Sequence, residues 1–389
     1  MMTGAVRRYL DNAATSWPKP ESVFTACDQA ARVLGVAAGR GGSREVVEAG
    51  RVIARARGLA AGFLGGVDPL RVAFPAGCTL ALNMAIHGFV RPGDHVVATA
   101  ADHNATLRPL AWLRAQGVIT LDTVACDRRG AVDPEAVARA LRPATRLVVC
   151  AHASNVTGVV QDAAAMARIA HEHGAAFLLD AAQTLGHVEP AALARIGADM
   201  IAAPTHKWLL GPLGAGLLFV RPGLELAPLV QGGTGSASDS LGMPEAFAER
   251  MEAGTPDLPA IAGLVAALEW LETQGVGRVA ESCRQVARHC AAALAAIPGV
   301  RVISAADDGG GAFAPIVSFT VQGYDPSDVA MVLEQQAGVQ SRAGFHCAAR
   351  VHEHLGTGQG GTVRVSFGPF NTADDVAAVA MTVASMARG

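Results

Sequence analysis

Residues Phe177–Val220 read FLLDAAQTLGHVEPAALARIGADMIAAPTHKWLLGPLGAGLLFV. The run Phe177-Leu178-Leu179 is short and apolar and ends in Asp180, the pattern of a buried strand that delivers a carboxylate at its C-terminal edge. A second run, Met200-Ile201-Ala202-Ala203, leads to His206-Lys207, and Gly211, Gly214 and Gly216 follow. A third, Leu217-Leu218-Phe219-Val220, closes the set. Three buried strand ends therefore bring an acid and a lysine to one place. Burying either charge is costly unless it is paired or bonded to a ligand.

One chemistry that needs this pair is pyridoxal phosphate (PLP) catalysis. A lysine amine forms a Schiff base with the cofactor, and a carboxylate keeps its pyridine nitrogen protonated. A plain buried salt bridge in an α/β core gives the same pattern, so the rest of the chain has to decide.

At 389 residues the chain has room for two domains that share a substantial core. A hydrophobic content of 51% with 44 glycines suits an α/β enzyme with many tight strand-to-helix turns. The net charge of −3 gives no reason to expect nucleic acid or an anionic membrane as a partner. No uninterrupted apolar segment is long enough to span a bilayer, and MMTGAVRRYLDNAAT has no signal-peptide core. The expectation is a cytoplasmic protein. Seven cysteines (Cys27, Cys78, Cys126, Cys150, Cys283, Cys290, Cys347) are scattered without a C-x-x-C pair. Most read as small buried hydrophobes, which leaves room for one reactive thiol.

Working outward, Tyr9-Leu10-Asp11-Asn12-Ala13-Ala14-Thr15 precedes the loop signal Trp17-Pro18-Lys19-Pro20, and a helix begins near Glu21. The basic, glycine-rich stretch GRGGSREV (39–46) leads into a helix over 47–64. A strand at 71–74 is followed by Pro75-Ala76-Gly77-Cys78-Thr79, which opens a helix through Ile86. Strand, small-residue turn and helix start make an anion site, because free N–H groups there point at a phosphate; a simple threonine N-cap is the alternative. His95–Thr99 is a strand with Asp102-His103-Asn104 just past its end, where His103 could stack on a flat ring or be incidental to a helix cap. Leu147–Cys150 is another, followed by His152-Ala153-Ser154-Asn155-Val156-Thr157-Gly158. Ligands of doubly wound sheets gather outside the carboxyl ends of strands, where all these turns lie. The alternation from Val72 to Val220 predicts a mostly parallel sheet.

Beyond Val230 the texture changes. QGGTGSASDS (231–240) is a Gly/Ser loop and EAGTPDLPA (252–260) a Pro-punctuated turn, with helices over 260–274 and 276–297 after them. Strands at 301–303 and 316–321 and a helix at 327–336 predict a smaller α+β domain. The expected division is an N-terminal segment (1–20) packing near the active site and the small domain, a large domain (21–254) and a small C-terminal domain (255–389).

The small domain carries Gln340-Ser341-Arg342-Ala343-Gly344-Phe345-His346-Cys347-Ala348-Ala349-Arg350-Val351-His352. Positive neighbours favour a thiolate, which makes Cys347 a candidate nucleophile. A zinc site of His346, Cys347, His352 and His354 is the less favoured alternative, since structural zinc sites usually offer more cysteines. In the strand Thr362-Val363-Arg364-Val365-Ser366, Arg364 could clamp a substrate carboxylate with a bidentate fork, or form a surface salt bridge.

In this order, the pieces resemble the cysteine desulfurase and selenocysteine lyase family of class V aminotransferase-fold PLP enzymes. The likeness runs from YLDNAATSWPKP through AGCTLALN, PGDHVVATAADHNATLRPL, SNVTG, DAAQTLGH, THKWLLGPLGAG and GGTGS to EAGTPDLPAIAGL, RAGFHCA and RVSFGPFNTADD. It implies the PLP-dependent transferase fold type I: an α/β chain with a mostly parallel central sheet in the large domain and a smaller α+β C-terminal domain. The HCA loop looks like the group with a short, fixed cysteine loop.

Position by position, the resemblance implies Lys207 as the Schiff-base lysine and Asp180 as the pyridine-nitrogen partner. Gln183 would bond the ring hydroxyl and His103 would stack on the ring. Cys78, Thr79 and His206 would hold the phosphate, joined by Thr234 of the facing subunit, which implies a homodimer. Asn155 and Arg364 would hold the substrate carboxylate, with Arg342 nearby, and Cys347 would take the sulfur. The chain departs from the family where relatives carry a Ser or Thr three residues before the lysine: here that position is Pro204. Thr205 is then expected to supply the phosphate contact instead. The Cys78 side chain is unusual there and reads as packing.

The implied reaction has the substrate amine displace Lys207, the freed lysine remove the α-proton, and the Cys347 thiolate take the sulfur. The products would be L-alanine and a Cys347 persulfide whose sulfur passes to an acceptor protein. L-cysteine is the expected substrate, with L-selenocysteine, or another C–S lyase or epimerase reaction, as the alternative. A cofactor-free binding protein on the same fold is the rival from a different class. No metal is expected.

Overall fold

The computed structural model describes residues 7–39, 41–236, 239–307 and 313–388. Residues 1–6 of the expected N-terminal segment, Arg40 of the basic stretch, and Ala237 and Ser238 of the Gly/Ser loop lie outside the described residues.

Thirteen strands form among the described residues: β1 (Arg8–Tyr9), β2 (Val72–Ala73), β3 (His95–Thr99), β4 (Thr120–Val124), β5 (Thr145–Ala151), β6 (Ala176–Asp180), β7 (Met200–Pro204), β8 (Gly216–Val220), β9 (Val300–Val302), β10 (Ile316–Val321), β11 (Val339–Gln340), β12 (Arg342–Gly344) and β13 (Thr362–Ser366). The large sheet runs β2-β8-β7-β6-β5-β3-β4. Five neighbouring strands, β4, β3, β5, β6 and β7, are mutually parallel, and β8 runs antiparallel to both of its neighbours.

Strands buried on both faces read as continuous apolar runs. Alternate residues here enter two separate cores: Val148, Cys150, Phe177, Leu179, Ile201 and Ala203 face one layer, and Leu147, Val149, Leu178, Met200, Ala202 and Leu218 the other. The edge strand β4 was not legible in the sequence. Its residues TLDTV are mostly exposed or half-buried, so no apolar run marks it.

The second sheet, β12-β13-β10-β9, is antiparallel throughout. Its core holds Val317, Phe319, Val363 and Val365 of the strands with Ala287, Cys290 and Leu294 of helix Val276–Ala295. Helix Leu258–Gln274 follows the border expected at residue 254, yet its Leu264, Ala267, Leu268 and Leu271 pack into the core of the large sheet. The N-terminal segment packs on the small sheet and reaches the turn after β7, where the Ser16 N–H bonds the His206 carbonyl at 2.9 Å. β1 pairs in parallel with β11, and Leu10 lies in the small-sheet core.

Close backbone approach explains one glycine of the THKWLLGPLGAG run. A Cβ on Gly216 would sit 2.5 Å from the carbonyl carbon of Gly77, so only glycine lets β8 pass the start of helix Cys78–Phe89.

Candidate active site

The C-terminal ends of the parallel strands open on a cavity of about 380 Å³. Asp180 ends β6, Lys207 follows β7, and helix Cys78–Phe89 starts at its wall. Asp180, Gln183, Lys207, His206, Cys78, Thr79, His103, Asn155, Arg342 and Arg364 all line it. The two sheets thus bring together residues far apart in sequence.

Burial dominates the electrostatics. It pulls the Lys207 ammonium below the ordinary lysine value, with Cys78 and Asp180 acting in the opposite sense. It pushes the Asp180 carboxyl up, against the N–H of Ala182 (2.9 Å to Oδ1) and the charge of Lys207. The Cys78 thiol, pushed well up chiefly by burial, lies 3.9 Å from Asp180 Oδ1. Neither charge is comfortable alone, which is the condition for holding a ligand that bonds both.

His103 caps helix Asn104–Ala115, with its Nδ1 accepting the Ala105 N–H at 2.9 Å. A ring nitrogen that accepts is unprotonated, so the proton of the neutral ring sits on Nε2. Burial, helped by Lys207, pulls His103 down to about 4. Gln183 is tied at both ends, donating from Nε2 to the Ala13 carbonyl (3.1 Å) and accepting the Trp208 indole N–H (2.8 Å).

Arg364 on β13 is buried, 1% exposed. Its Nη1 donates to the Asn155 carbonyl at 3.0 Å and its Nη2 to Asp11 Oδ1 at 2.7 Å, while Nε has no partner. The surface salt-bridge alternative for Arg364 is therefore excluded by its burial. Burial pulls the guanidinium below its usual value, and Asp11 opposes that. Asn155 in turn donates from Nδ2 to the His346 carbonyl at 2.6 Å.

Cys347 stands apart. It is exposed and lines an adjacent groove, which meets the inner cavity at Thr79, His103 and Ala105. Arg342 Nη2 lies 3.6 Å from its Sγ. Near it, His346 Nε2 bonds Thr362 Oγ1 at 2.9 Å and His352 Nδ1 bonds Thr357 Oγ1 at 2.7 Å, and the other nitrogen of each ring has no partner. Among the described residues, no group of three or more His, Cys, Asp or Glu side chains is arranged to hold a metal ion. No helix of the described residues is long and apolar enough to cross a membrane.

One expectation changes. Thr205 does not stand in for the hydroxyl that Pro204 lacks, because its own buried hydroxyl bonds the Pro212 and Ala215 carbonyls, both at 2.9 Å. Pro204 lines the cavity and Thr205 does not. Thr234, expected to act on the facing subunit, does not line this chain's own cavity, and its hydroxyl bonds the Ser236 carbonyl at 3.2 Å. Sequence reasoning also passed over Asp11, Thr15 and Ser16, which brace Arg364 and the peptide before Lys207. Their signal lay in YLDNAATSWPKP, where the family likeness assigned no role to these side chains.

The aminotransferase class-V family model matches residues 8–379. The chain is 34% identical to a probable cysteine desulfurase of Methanothermobacter thermautotrophicus, over 97% of this chain and 94% of that one. It is 31% identical to the cysteine desulfurase CsdA of Escherichia coli, over 96% and 92%. Among solved structures, the apo cysteine desulfurase of Thermococcus onnurineus NA1 superposes with a TM-score of 0.91 at 29% identity, covering 98% of this chain and 95% of that one. The crystal structure of Escherichia coli CsdA gives 0.86 at 29% identity, covering 98% and 94%.

Proposed function

The chain belongs to the aminotransferase class-V family, and on that premise we propose that it is a PLP-dependent cysteine desulfurase, converting L-cysteine to L-alanine and carrying the sulfur on Cys347. One observation carries this reading above the others. Lys207 and Asp180 line one buried cavity, and its wall at Thr79, His103 and Ala105 continues into the groove that holds Cys347.

The residues fit PLP. The first-turn amides of helix Cys78–Phe89 have no intrahelical partners, and Gly77, Cys78, Thr79 and Leu80 line the cavity, as a phosphate site at a helix start requires. The buried His206 Nδ1 is without a partner. Thr79 and His206 would hold the phosphate with the Cys78 amide, Asp180 the pyridine nitrogen, Gln183 the ring hydroxyl, His103 the ring face and Lys207 the aldehyde carbon. When bound, PLP supplies an electron sink for the substrate's α-carbon.

The protein supplies the rest. Arg364 and Asn155 grip the substrate carboxylate and fix its orientation. The Lys207 amine, made easier to deprotonate by burial, takes the α-proton. Cys347 Sγ then attacks the substrate sulfur: the S–S bond forms, the C–S bond breaks, and the electron pair stays on the three-carbon skeleton. That skeleton takes up protons and leaves as alanine, and the persulfide sulfur passes to an acceptor protein. In a homodimer, Thr234 serves the phosphate of the facing subunit.

The position of Cys347 in the outer groove favours a second reading, a PLP-dependent C–S or C–Se lyase that releases sulfur or selenium without the relay. Incubating the PLP-loaded protein with L-cysteine, and separately with L-selenocysteine, tests both. Alanine formed from L-cysteine in step with Cys347 persulfide supports the desulfurase. Alanine from L-selenocysteine alone supports the lyase, and no alanine from either overturns both.

A further inference from the structure

Two of the chain's 31 lysines and arginines are lysines, Lys19 and Lys207. Both converge on one peptide. Lys19 Nζ lies 3.3 Å from the His206 carbonyl oxygen and 2.8 Å from Ser16 Oγ. The same carbonyl receives the Ser16 N–H at 2.9 Å, the Thr15 hydroxyl at 3.1 Å and the Ser16 hydroxyl at 3.1 Å. A carbonyl oxygen has two lone pairs, so four donors over-determine its position. The next residue along the chain is Lys207.

The other side of the lysine turn is strained. Leu210 takes φ 58°, a left-handed conformation that a residue with a branched side chain adopts only when its surroundings enforce it. The Leu210 N–H bonds the Lys207 carbonyl and the Gly211 N–H the Thr205 carbonyl, both at 2.9 Å. The 15–19 segment closes the frame from outside. A lysine suits this half-buried niche because its compact ammonium offers three donors, where a guanidinium is planar and larger.

We infer that Lys19 is a positioning residue for Lys207, clamping the His206 carbonyl so that the strained turn holds the Lys207 amine in the cavity. The inference rests on the proposed role of Lys207. In a chain otherwise built with arginine, the ammonium at residue 19 has a task that neither methionine nor arginine performs fully.

The test compares Lys19→Met, Lys19→Arg and Ser16→Ala with wild type and with Lys207→Ala. For Lys19→Met, kcat for alanine formation is expected to fall about tenfold, with KM for L-cysteine held within about twofold. Lys19→Arg should recover part of that loss. In the cofactor-free protein, Lys207 is the sole lysine of Lys19→Met, so acetic anhydride labelling followed by peptide mass spectrometry reports it directly. Labelling of Lys207 is expected to speed up about threefold or more, at an unchanged thermal midpoint. If Lys19→Met does not fold, Ser16→Ala carries the same two expectations. Unchanged kcat or unchanged labelling overturns the clamp. Full alanine formation by Lys207→Ala overturns the role of Lys207 instead, and the labelling comparison still judges Lys19.

Discussion

Arg342 reaches Cys347 across a strained loop, with Nη2 3.6 Å from Sγ. His346 and Cys347 both hold left-handed backbone angles, φ 50° and 58°. Two such non-glycine residues cost about 1–2 kcal/mol each. The loop is held by Asn155 on the His346 carbonyl (2.6 Å) and the Asn104 N–H on the Cys347 carbonyl (2.8 Å). Such a fixed thiol suits a single, repeatable transfer geometry. Replacing Arg342 by Gln removes the charged donor and shortens the side chain while keeping it polar, and alanine formation from L-cysteine should fall about tenfold. Steady-state assays check it, and an unchanged rate would show that the contact is incidental.

Arg364 bonds Asn155 and Asp11 through one N–H of each terminal nitrogen, which leaves the second N–H of each and the partnerless Nε–H for a carboxylate. A lysine cannot make this fork. Arg364→Lys should raise KM for L-cysteine about tenfold or more, with a smaller change in kcat. A KM equal to wild type would remove Arg364 from the substrate site.

Asp180→Asn should keep the visible absorbance of bound PLP and lower turnover about a hundredfold or more, since a neutral amide does not hold a ring nitrogen protonated. Absorbance titration with PLP and an alanine assay separate the two effects. Undiminished turnover would move the electron sink elsewhere.

Much of this site was legible because Asp180 ends a short apolar strand, Arg364 lies within one, and Lys207 and Asn155 lie in the turns that follow two others, and burying such groups is costly without a partner. What escaped was side-chain direction. Thr205 and Pro204 are neighbours on one strand end, and only the fold tells that the ring of one faces the cavity and the hydroxyl of the other faces the backbone. The bracing by Asp11, Thr15 and Ser16 escaped for a related reason. It spans between 190 and 353 residues of sequence separation, and no local periodicity encodes such contacts. β4 was missed because an edge strand with polar, exposed positions carries no apolar run.

Five histidines set an acid limit to stability. His103, His152 and His206 are pulled down to about 4, His187 to about 3 and His346 to about 2, each chiefly by burial. Their folded values lie below the unfolded value of 6.5, so the unfolded chain binds protons first as pH falls. Their contribution is complete above pH 6.5 and drains as pH drops toward 4, by about 1.4 kcal/mol per pH unit for each ring fully engaged. Asp102, pushed up to about 7 by burial, and Asp180, raised by burial, act in the opposite sense. Five outweigh two. The thermal midpoint should therefore fall between about pH 7 and about pH 5, as calorimetry of the cofactor-free protein can check. A flat or rising midpoint would mean that these rings are protonated in the folded state.

The sulfur relay itself is tested most directly at Cys347. The PLP-loaded protein is mixed with L-cysteine, quenched, and weighed by intact and peptide mass spectrometry, alongside Cys347→Ala. Wild type is expected to gain the mass of one sulfur atom on the peptide that carries Cys347, in step with alanine. Cys347→Ala should bind L-cysteine with a change in absorbance, yet gain no sulfur and form alanine about a thousandfold more slowly. Alanine released by Cys347→Ala at the wild-type rate would contradict the relay and leave Cys347 as a loop residue.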